Sequence, residues 1–243
     1  DPSEPFLAAT LNDDGSLAVT AERDNCKGAV DVYSAQGDLM FTFRSSQRFV
    51  TDAYVTDDDS YLAAVTLGQE DSVFVSNIVL YDLTETEPVA DYDISDGLVL
   101  EISQQDNRIV TVSDTVLTLA DPKGTVEGSY SYGGEYLREY DTAGDDFTVL
   151  LLNRYQSGSL GRLGTVDEKG EEIASLDISD EVVGLSAAGR YIAGLYIDHL
   201  EVYNQDLQTY ATLEDTGYAR DILMRSDGSV LLLASESARL FLP

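Results

Sequence analysis

Tryptophan is absent from the 243 residues, and cysteine and histidine occur once each, as Cys26 and His199. A lone cysteine forms no internal disulfide and supplies no multi-thiolate metal centre. A lone imidazole leaves any Ser-His-Asp arrangement with one candidate base. Basic residues are also scarce: 14 Lys and Arg stand against 45 Asp and Glu, a formal charge of −31. Nucleic acid and anionic lipid headgroups repel such a chain, so no nucleic-acid partner and no direct membrane binding by this region are expected. No apolar run approaches the roughly 18 residues of a membrane span, and no signal-peptide pattern is present. The first residue is Asp1 rather than Met, which reads as a processed or trimmed product.

What the chain has is 43 % hydrophobic residues, enough for a real core, and a repeat. The unit is an apolar segment, a tight polar turn, a second apolar segment, a looser loop, a third strand, a polar turn and a fourth strand. Its first turn recurs as LNDDGSLAV (11–19), VTDDDSYLAAV (55–65), SQQDNRIVTV (103–112), DTAGDDFTVLL (141–151), SAAGRYIAGL (186–195) and RSDGSVLLL (225–233). Gly, Asp, Asn and Ser between two β-rich runs tolerate positive φ, the requirement of a hairpin. The second half recurs as AVDVYSAQGDLMFTF (29–43), NIVLYDLTETEPVADY (77–92), TVLTLADPKGTVEGSY (115–130), RLGTVDEKGEEIASL (162–176) and HLEVYNQDLQTYATL (199–213). Starts lie about 38 to 48 residues apart, bracketing the roughly 40–45 residues of a propeller blade. The expectation is an all-β fold, a β-propeller of four-stranded antiparallel blades forming one domain over 1–243. Its blades fall near 6–49, 50–97, 98–136, 137–180, 181–218 and 219–243, the last without its fourth strand. DPSEP (1–5), with two prolines, cannot pair as a central strand. Either the ring closes with six blades, one of them short, or the chain is an incomplete part of a larger ring. In the second case an exposed blade edge favours self-association.

VTDAYVTDDDSYLAAVTL, VLYDLTETEPVADYDISD, LLLNRYQSGSLGRL, GLSAAGRYIAGLY and YARDILMRSDGSVLLLASESARLFLP together resemble an uncharacterised Firmicute-type bacterial cell-envelope family. This domain of unknown function has a propeller related to the WD-repeat and quinoprotein-like propellers. The likeness runs over essentially the whole chain, and the last segment is its most specific part. It implies a place rather than a reaction: the extracytoplasmic side of the cell membrane, with a tether formed by an N-terminal helix that this chain lacks. It brings no established activity.

Specific chemistry is hard to find in the residues. Gly-His and Trp-Asp pairs, the marks of WD repeats, are missing, as is the Trp on which a pyrroloquinoline-quinone cofactor stacks. RSDGSV keeps only the turn of a sialidase motif. His199, in YIDHLEVY, is expected at an outer-hairpin turn beside Asp198, away from any central channel. Cys26 sits in a polar loop where Arg23 and Lys27 would lower its pKa, with no His candidate beside it. Asn12-Asp13-Asp14 and Asp57-Asp58-Asp59 suggest calcium superficially, but neither has EF-hand spacing, and adjacent acids in a hairpin turn are ordinary. More informative are charged residues where inner strands begin: Asp52, Glu101, Arg138 with Glu139, and Arg220 with Asp221. They read either as acid–base pairs of a wet channel or as a polar ligand site. The loop NRYQSGSLGR (153–162), with Arg154 and Tyr155, is expected on one rim.

No catalytic, cofactor-binding or metal-ligating residue is assigned, and no cofactor is expected. The leading expectation is a non-enzymatic extracytoplasmic binding or scaffold propeller, membrane-tethered in the intact protein, whose partner is a protein, a peptide or a glycan. The alternative is a carboxylate-based hydrolase or lyase, with or without a metal, acting at the channel mouth. A third reading is a structural segment whose open edge accepts a strand.

Overall fold

The computed structural model describes residues 6–94 and 97–243, so the two prolines of segment 1–5 lie outside the described residues. Among these, 23 strands and no helix form six antiparallel sheets. The chain divides into two compact units, Asp1–Glu127 and Gly128–Pro243, the division falling within β12.

In the first unit, sheet 1 contains β1 (Phe6–Leu11), β2 (Leu17–Ala21), β3 (Gly28–Tyr33) and β4 (Leu39–Ser45). Sheet 2 contains β5 (Phe49–Val55), β6 (Tyr61–Glu70), β7 (Val73–Asp82) and β8 (Ala90–Ile94). Sheet 3 contains β9 (Val99–Gln105), β10 (Arg108–Ser113), β11 (Val116–Ala120) and β12 (Val126–Ser131). In the second unit, sheet 4 contains β13 (Tyr136–Gly144), β14 (Phe147–Asn153), β15 (Gly161–Asp167) and β16 (Glu172–Ile178). Sheet 5 contains β17 (Val182–Ala188), β18 (Tyr191–Tyr196), β19 (Leu200–Asn204) and β20 (Thr209–Leu213). Sheet 6 has three strands, β21 (Asp221–Met224), β22 (Val230–Leu233) and β23 (Ala238–Phe241). Every sheet runs up and down in sequence order.

Turn chemistry sets the ladders. One residue with positive φ occurs in each of the six first turns: Gly15, Asp59, Asp106, Asp146, Gly189 and Gly228. Turns between third and fourth strands combine a residue of positive φ, as at Gly124, Gly170 and Leu207, with a side-chain oxygen. Asp121 Oδ1 accepts from the amides of Lys123 and Thr125, Asp167 Oδ1 from Lys169 and Glu171, and Asn204 Oδ1 from Asp206 and Gln208. Asp and Asn are favoured there because they form this local bond.

Middle strands are apolar on both faces because each sheet packs on its neighbours. Ala18, Val30, Val32 and Phe43 of sheet 1 meet Val50, Val55, Leu62 and Ala64 of sheet 2. Sheets 2 and 3 share Val65, Ile78, Leu80, Ile102 and Ile109. In the second unit Phe147, Val149 and Leu163 pack on Leu185, Ile192 and Tyr203. Leu195, Leu200 and Val202 pack on Ile222, Val230 and Leu232. Each such side chain contributes about 1.5–3 kcal/mol by leaving water.

A further feature recurs at the start of the first strands. In β1, β5, β9, β13 and β17 the register slips by one residue, leaving Leu7, Thr51, Leu100, Arg138 and Val183 without a ladder partner on the second strand. All five are exposed. A bulge re-aims a side chain without breaking the ladder that follows it.

First strands are also tied to each other by polar side chains. Thr10 Oγ1 donates to the Ala53 carbonyl. Asp52 Oδ2 accepts from the Ile102 amide (3.1 Å) while its Oδ1 caps the amide of Ala53. Asp141 Oδ2 accepts from the Ala187 amide (2.8 Å), and Ser186 Oγ from that of Met224 (3.0 Å).

Candidate functional site

Antiparallel geometry gives each sheet two ends. The first-to-second and third-to-fourth turns lie at one, the hairpin end. The second-to-third turns and the links between sheets lie at the other, the connection end. In the second unit the connection end holds two adjoining clefts. One, of about 340 Å³, is lined by Arg138 on the β13 bulge, Asn153, residues 156–159, and Asp180, Glu181 and Val182 between β16 and β17. The other, of about 330 Å³, is lined by the same Asp180 and Glu181 together with Tyr196, Ile197, Asp198 and His199.

The 154–160 loop is anchored at its base and open at its tip. Asn153, buried, donates through Nδ2 to the Gly158 carbonyl (2.9 Å), and the Arg154 amide donates to Leu160 O (3.0 Å). Ser159 Oγ reaches the Ser179 carbonyl (3.0 Å), fastening the loop to the β16–β17 link. Arg162 at its far end is held by Glu135 (2.7 Å), Glu172 (2.6 Å) and the Tyr130 hydroxyl (2.8 Å). Burial alone would loosen its proton, but these three bonds outweigh it and hold the guanidinium above its ordinary pKa.

His199 stacks on Tyr196, with ring centroids 4.5 Å apart and planes 5° from parallel. Its Nδ1 lies 2.7 Å from Asp198 Oδ1, and this bond holds the Asp198 carboxyl below its usual range. Beneath, the Tyr196 and Tyr203 hydroxyls meet at 2.9 Å and Tyr203 donates to Glu201. Burial pushes the Tyr196 phenol up. His199 therefore sits at a second-to-third strand turn bordering a cleft, not at the remote outer turn expected from sequence. The difference arises because β18 and β19 are the two middle strands of their sheet. One face of the imidazole is taken by Tyr196 and one nitrogen by Asp198, so the ring roofs the tyrosine pair.

Other sequence candidates resolve into structural roles. Arg23 pairs with Asp31 at 2.6 Å and Lys27 lies over the Phe49 ring at 5.5 Å, so both bases beside Cys26 are engaged; its thiol points to the Arg23 carbonyl. The acidic turns are stitches between hairpins. Asn12 Nδ2 donates to Thr56 O (2.9 Å) and Asp59 (3.1 Å), and Ser16 Oγ to Asp59 (3.0 Å). Asp57 accepts from the Asp13 amide (3.2 Å) and the Tyr54 hydroxyl (3.0 Å), while its own amide donates to Gln104 (2.9 Å). Among the described residues no group of three or more His, Cys, Asp or Glu is arranged to hold a metal ion.

The charged strand starts fall in one register row: Asp52, Glu101 and Glu139 each follow a bulge, and Arg138 is itself the bulged residue. Asp52 has both oxygens committed to main-chain amides; burial raises its pKa and the Ile102 and Ala53 bonds offset part of that. Glu139 is raised by burial and by Asp221 and Asp141, against a lowering from Arg138. Arg220 is exposed, its amide bonded to the Leu233 carbonyl (2.8 Å). Asp221 Oδ1 accepts from the Ile222 amide (2.8 Å). In the first unit a groove of about 510 Å³ runs over the first strands past Thr10, Asp52, Tyr54 and Glu101. Sequence reasoning missed Asp180, Glu181 and Asp141. The first two lie in an inter-blade link whose neighbours no local pattern reveals.

This architecture defines a class. Solved structures of the same fold are β-propellers: the C-terminal WD40 domain of Sif2 (15 % identity, 98 % of this chain and 81 % of that one, TM-score 0.55), Hsv2 of Kluyveromyces lactis (14 %, 98 % and 74 %, 0.64) and the WD40 domain of SCAP from fission yeast (6 %, 87 % and 56 %, 0.63). The protein has the fold of the WD40 β-propellers, and at these identities the likeness is one of fold alone. By sequence, residues 2–208 match the Family of unknown function (DUF5711), and the chain belongs to that family. No curated protein matches it by sequence at a significant level.

Proposed function

We propose that the chain is a non-enzymatic binding module whose connection end, in the second unit, receives a basic segment of a protein partner. The observation that carries this reading is the pair of clefts sharing Asp180 and Glu181, flanked by Asp198. Tyr155, Leu160, Ile197 and Tyr218 are exposed on connections of that same end, Tyr218 at 93 %. Carboxylates interspersed with large amphipathic side chains suit a cationic, partly apolar peptide. A carboxylate-based hydrolase is less well supported, because Asp52 and Asp141 spend their oxygens on main-chain amides.

As part of the same reading, the module stands on the extracytoplasmic side of a Firmicute-type cell envelope, tethered by a helix outside this sequence. Protease accessibility of the protein on intact cells tests that placement. A second contact is self-association through β23, where Ala238, Arg239 and Leu240 are exposed on a strand that, among the described residues, forms the edge of sheet 6; light scattering reads it directly.

The binding reading is tested by titrating the chain with synthetic Arg/Lys-containing 12-residue peptides, length-matched neutral peptides and soluble glycans. Binding of the basic peptides that weakens at least about tenfold in Asp180→Asn/Glu181→Gln supports it, since loss of facing charge pairs costs more than 1.4 kcal/mol. Preference for the neutral peptides or the glycans, or indifference to the double substitution, would refute it.

A further inference from the structure

The second and third strands of sheet 2 are ten residues each, against four to seven in the other sheets. Among the described residues, pairing with the flanking strands stops short of their tip. The ladder to β5 begins at Phe49↔Leu67 and the ladder to β8 at Ser76↔Ile94. Beyond those points, among the described residues, Gly68–Glu70 and Val73–Val75 pair only with each other, as a two-stranded ribbon at the connection end of the first unit. Asp71 and Ser72, with φ of 47° and 70°, close it as a two-residue hairpin turn of the primed kind.

The ribbon is braced. Arg48 lies against it, donating through Nη1 to the Val75 carbonyl (3.2 Å) and pairing with Glu70 (2.8 Å) and Asp93 (3.1 Å). Gly68 makes the room: a Cβ there would stand 3.0 Å from Arg48 Cγ. Its tip is apolar where the fold gives no reason for it. Val73 is 63 % and Phe74 59 % exposed, and Phe49 at the base is 51 % exposed. A projecting hairpin gains nothing from an aromatic left in water; Phe74 and Phe49 fall on one face of it, since their partners Gln69 and Leu67 are two residues apart, and exposed apolar groups sharing a face on a rigid support mark contact surfaces. No Lys or Arg occurs between residues 61 and 82, while Glu70 and Asp71 flank the tip.

We propose that this ribbon is a preformed anchor for a second protein, with Phe74 entering an apolar pocket rimmed by basic side chains. The braced turn makes the contact cheap in ordering entropy, and a buried aromatic is the usual centre of such an interface. The acids at the tip supply the charge complementarity and oppose insertion among lipid phosphates. A second copy of the chain, with 14 Lys and Arg against 45 Asp and Glu, is short of the basic rim such a pocket needs. The contact is on the first unit, and the clefts are on the second.

The test starts with a photoreactive benzoylphenylalanine at position 74 in cells that make the protein, and at position 206, on the opposite end of another sheet, as control. The protein crosslinked only from 74 is then purified and titrated against the full chain. We expect Phe74→Ser to weaken binding by about 30-fold, and Val73→Ser by less. Asp71→Asn, which keeps a residue tolerant of positive φ, should weaken it by about fivefold and flatten its salt dependence. Unchanged melting of the exposed-site variants separates lost contact from lost fold. The proposal is overturned if position 74 yields no specific crosslink, if it crosslinks a second copy of this chain, or if the purified partner binds Phe74→Ser as well as the parent. It is equally overturned if phosphatidylcholine vesicles bind the chain through Phe74.

Discussion

Within each unit the two ends of the sheets are built on different terms. At the hairpin end, the first-to-second turns hold one residue of positive φ each, and polar side chains are spent on neighbouring turns, as those of Asn12, Ser16, Asp57 and Asp59 are. At the connection end, large side chains such as Phe74, Tyr155, Ile197 and Tyr218 stand in solvent. The lesson is a division of labour: one end fixes the angle between sheets, and the other is left free for recognition.

Substitutions at the stitched elements should therefore unfold the protein, and those at the open end should not. The largest effect is expected from Asp141→Ala, which strands the amides of Ala143 and Ala187 (both 2.8 Å from the carboxylate) and should cost about 3 kcal/mol by urea unfolding. Asn12→Ala removes the bonds to Thr56, Asp59 and the Ser16 amide, and should cost about 2 kcal/mol by the same measurement. By contrast Asp180→Asn/Glu181→Gln should stay within about 0.5 kcal/mol of the parent, as exposed sites do. A fall comparable to that of Asn12→Ala would erase the distinction between the ends.

The smallest effect concerns pH. Burial, with Asp221 and Asp141 nearby, raises the Glu139 pKa above its ordinary 4.5, so the native state binds its proton more tightly than the unfolded chain. The stability this group contributes is complete below the unfolded pKa and is lost as pH rises through the folded one. Glu139→Gln escapes that loss. It should gain on the parent between pH 4 and pH 7, by less than about 1 kcal/mol because Glu139 is partly open to solvent. A gain that runs the other way, read from urea midpoints at the two pH values, would show that the neighbouring Arg138 dominates.

Much of the fold could be read from the turns. LNDDGS, TDDDSY, QQDNRI, AGDDFT, AAGRYI and RSDGSV each contain the residue that adopts positive φ, because that requirement is local and few residues meet it. Aligning the strands on those turns brought Asp52, Glu101 and Glu139 into the row they share. What the acids do was not legible. The same Asp57 and Asp59 that look like solvated turn residues bond to a hairpin more than forty positions away. Likewise the cleft around Asp180, Glu181 and His199 exists only once the 154–160 loop and two successive turns lie side by side, which no spacing in the chain encodes.

The bulges in the first strands carry a consequence for how such a scaffold diversifies. Because Leu7, Leu100, Arg138 and Val183 have no ladder partner on the second strand and are exposed, each occupies a socket uncoupled from the ladder around it, whereas Thr51 still donates through Oγ1 to the Val65 carbonyl of its second strand. The identities of those four, already spanning aliphatic and guanidinium, can be exchanged without repacking the interior, so one backbone can carry many surface chemistries.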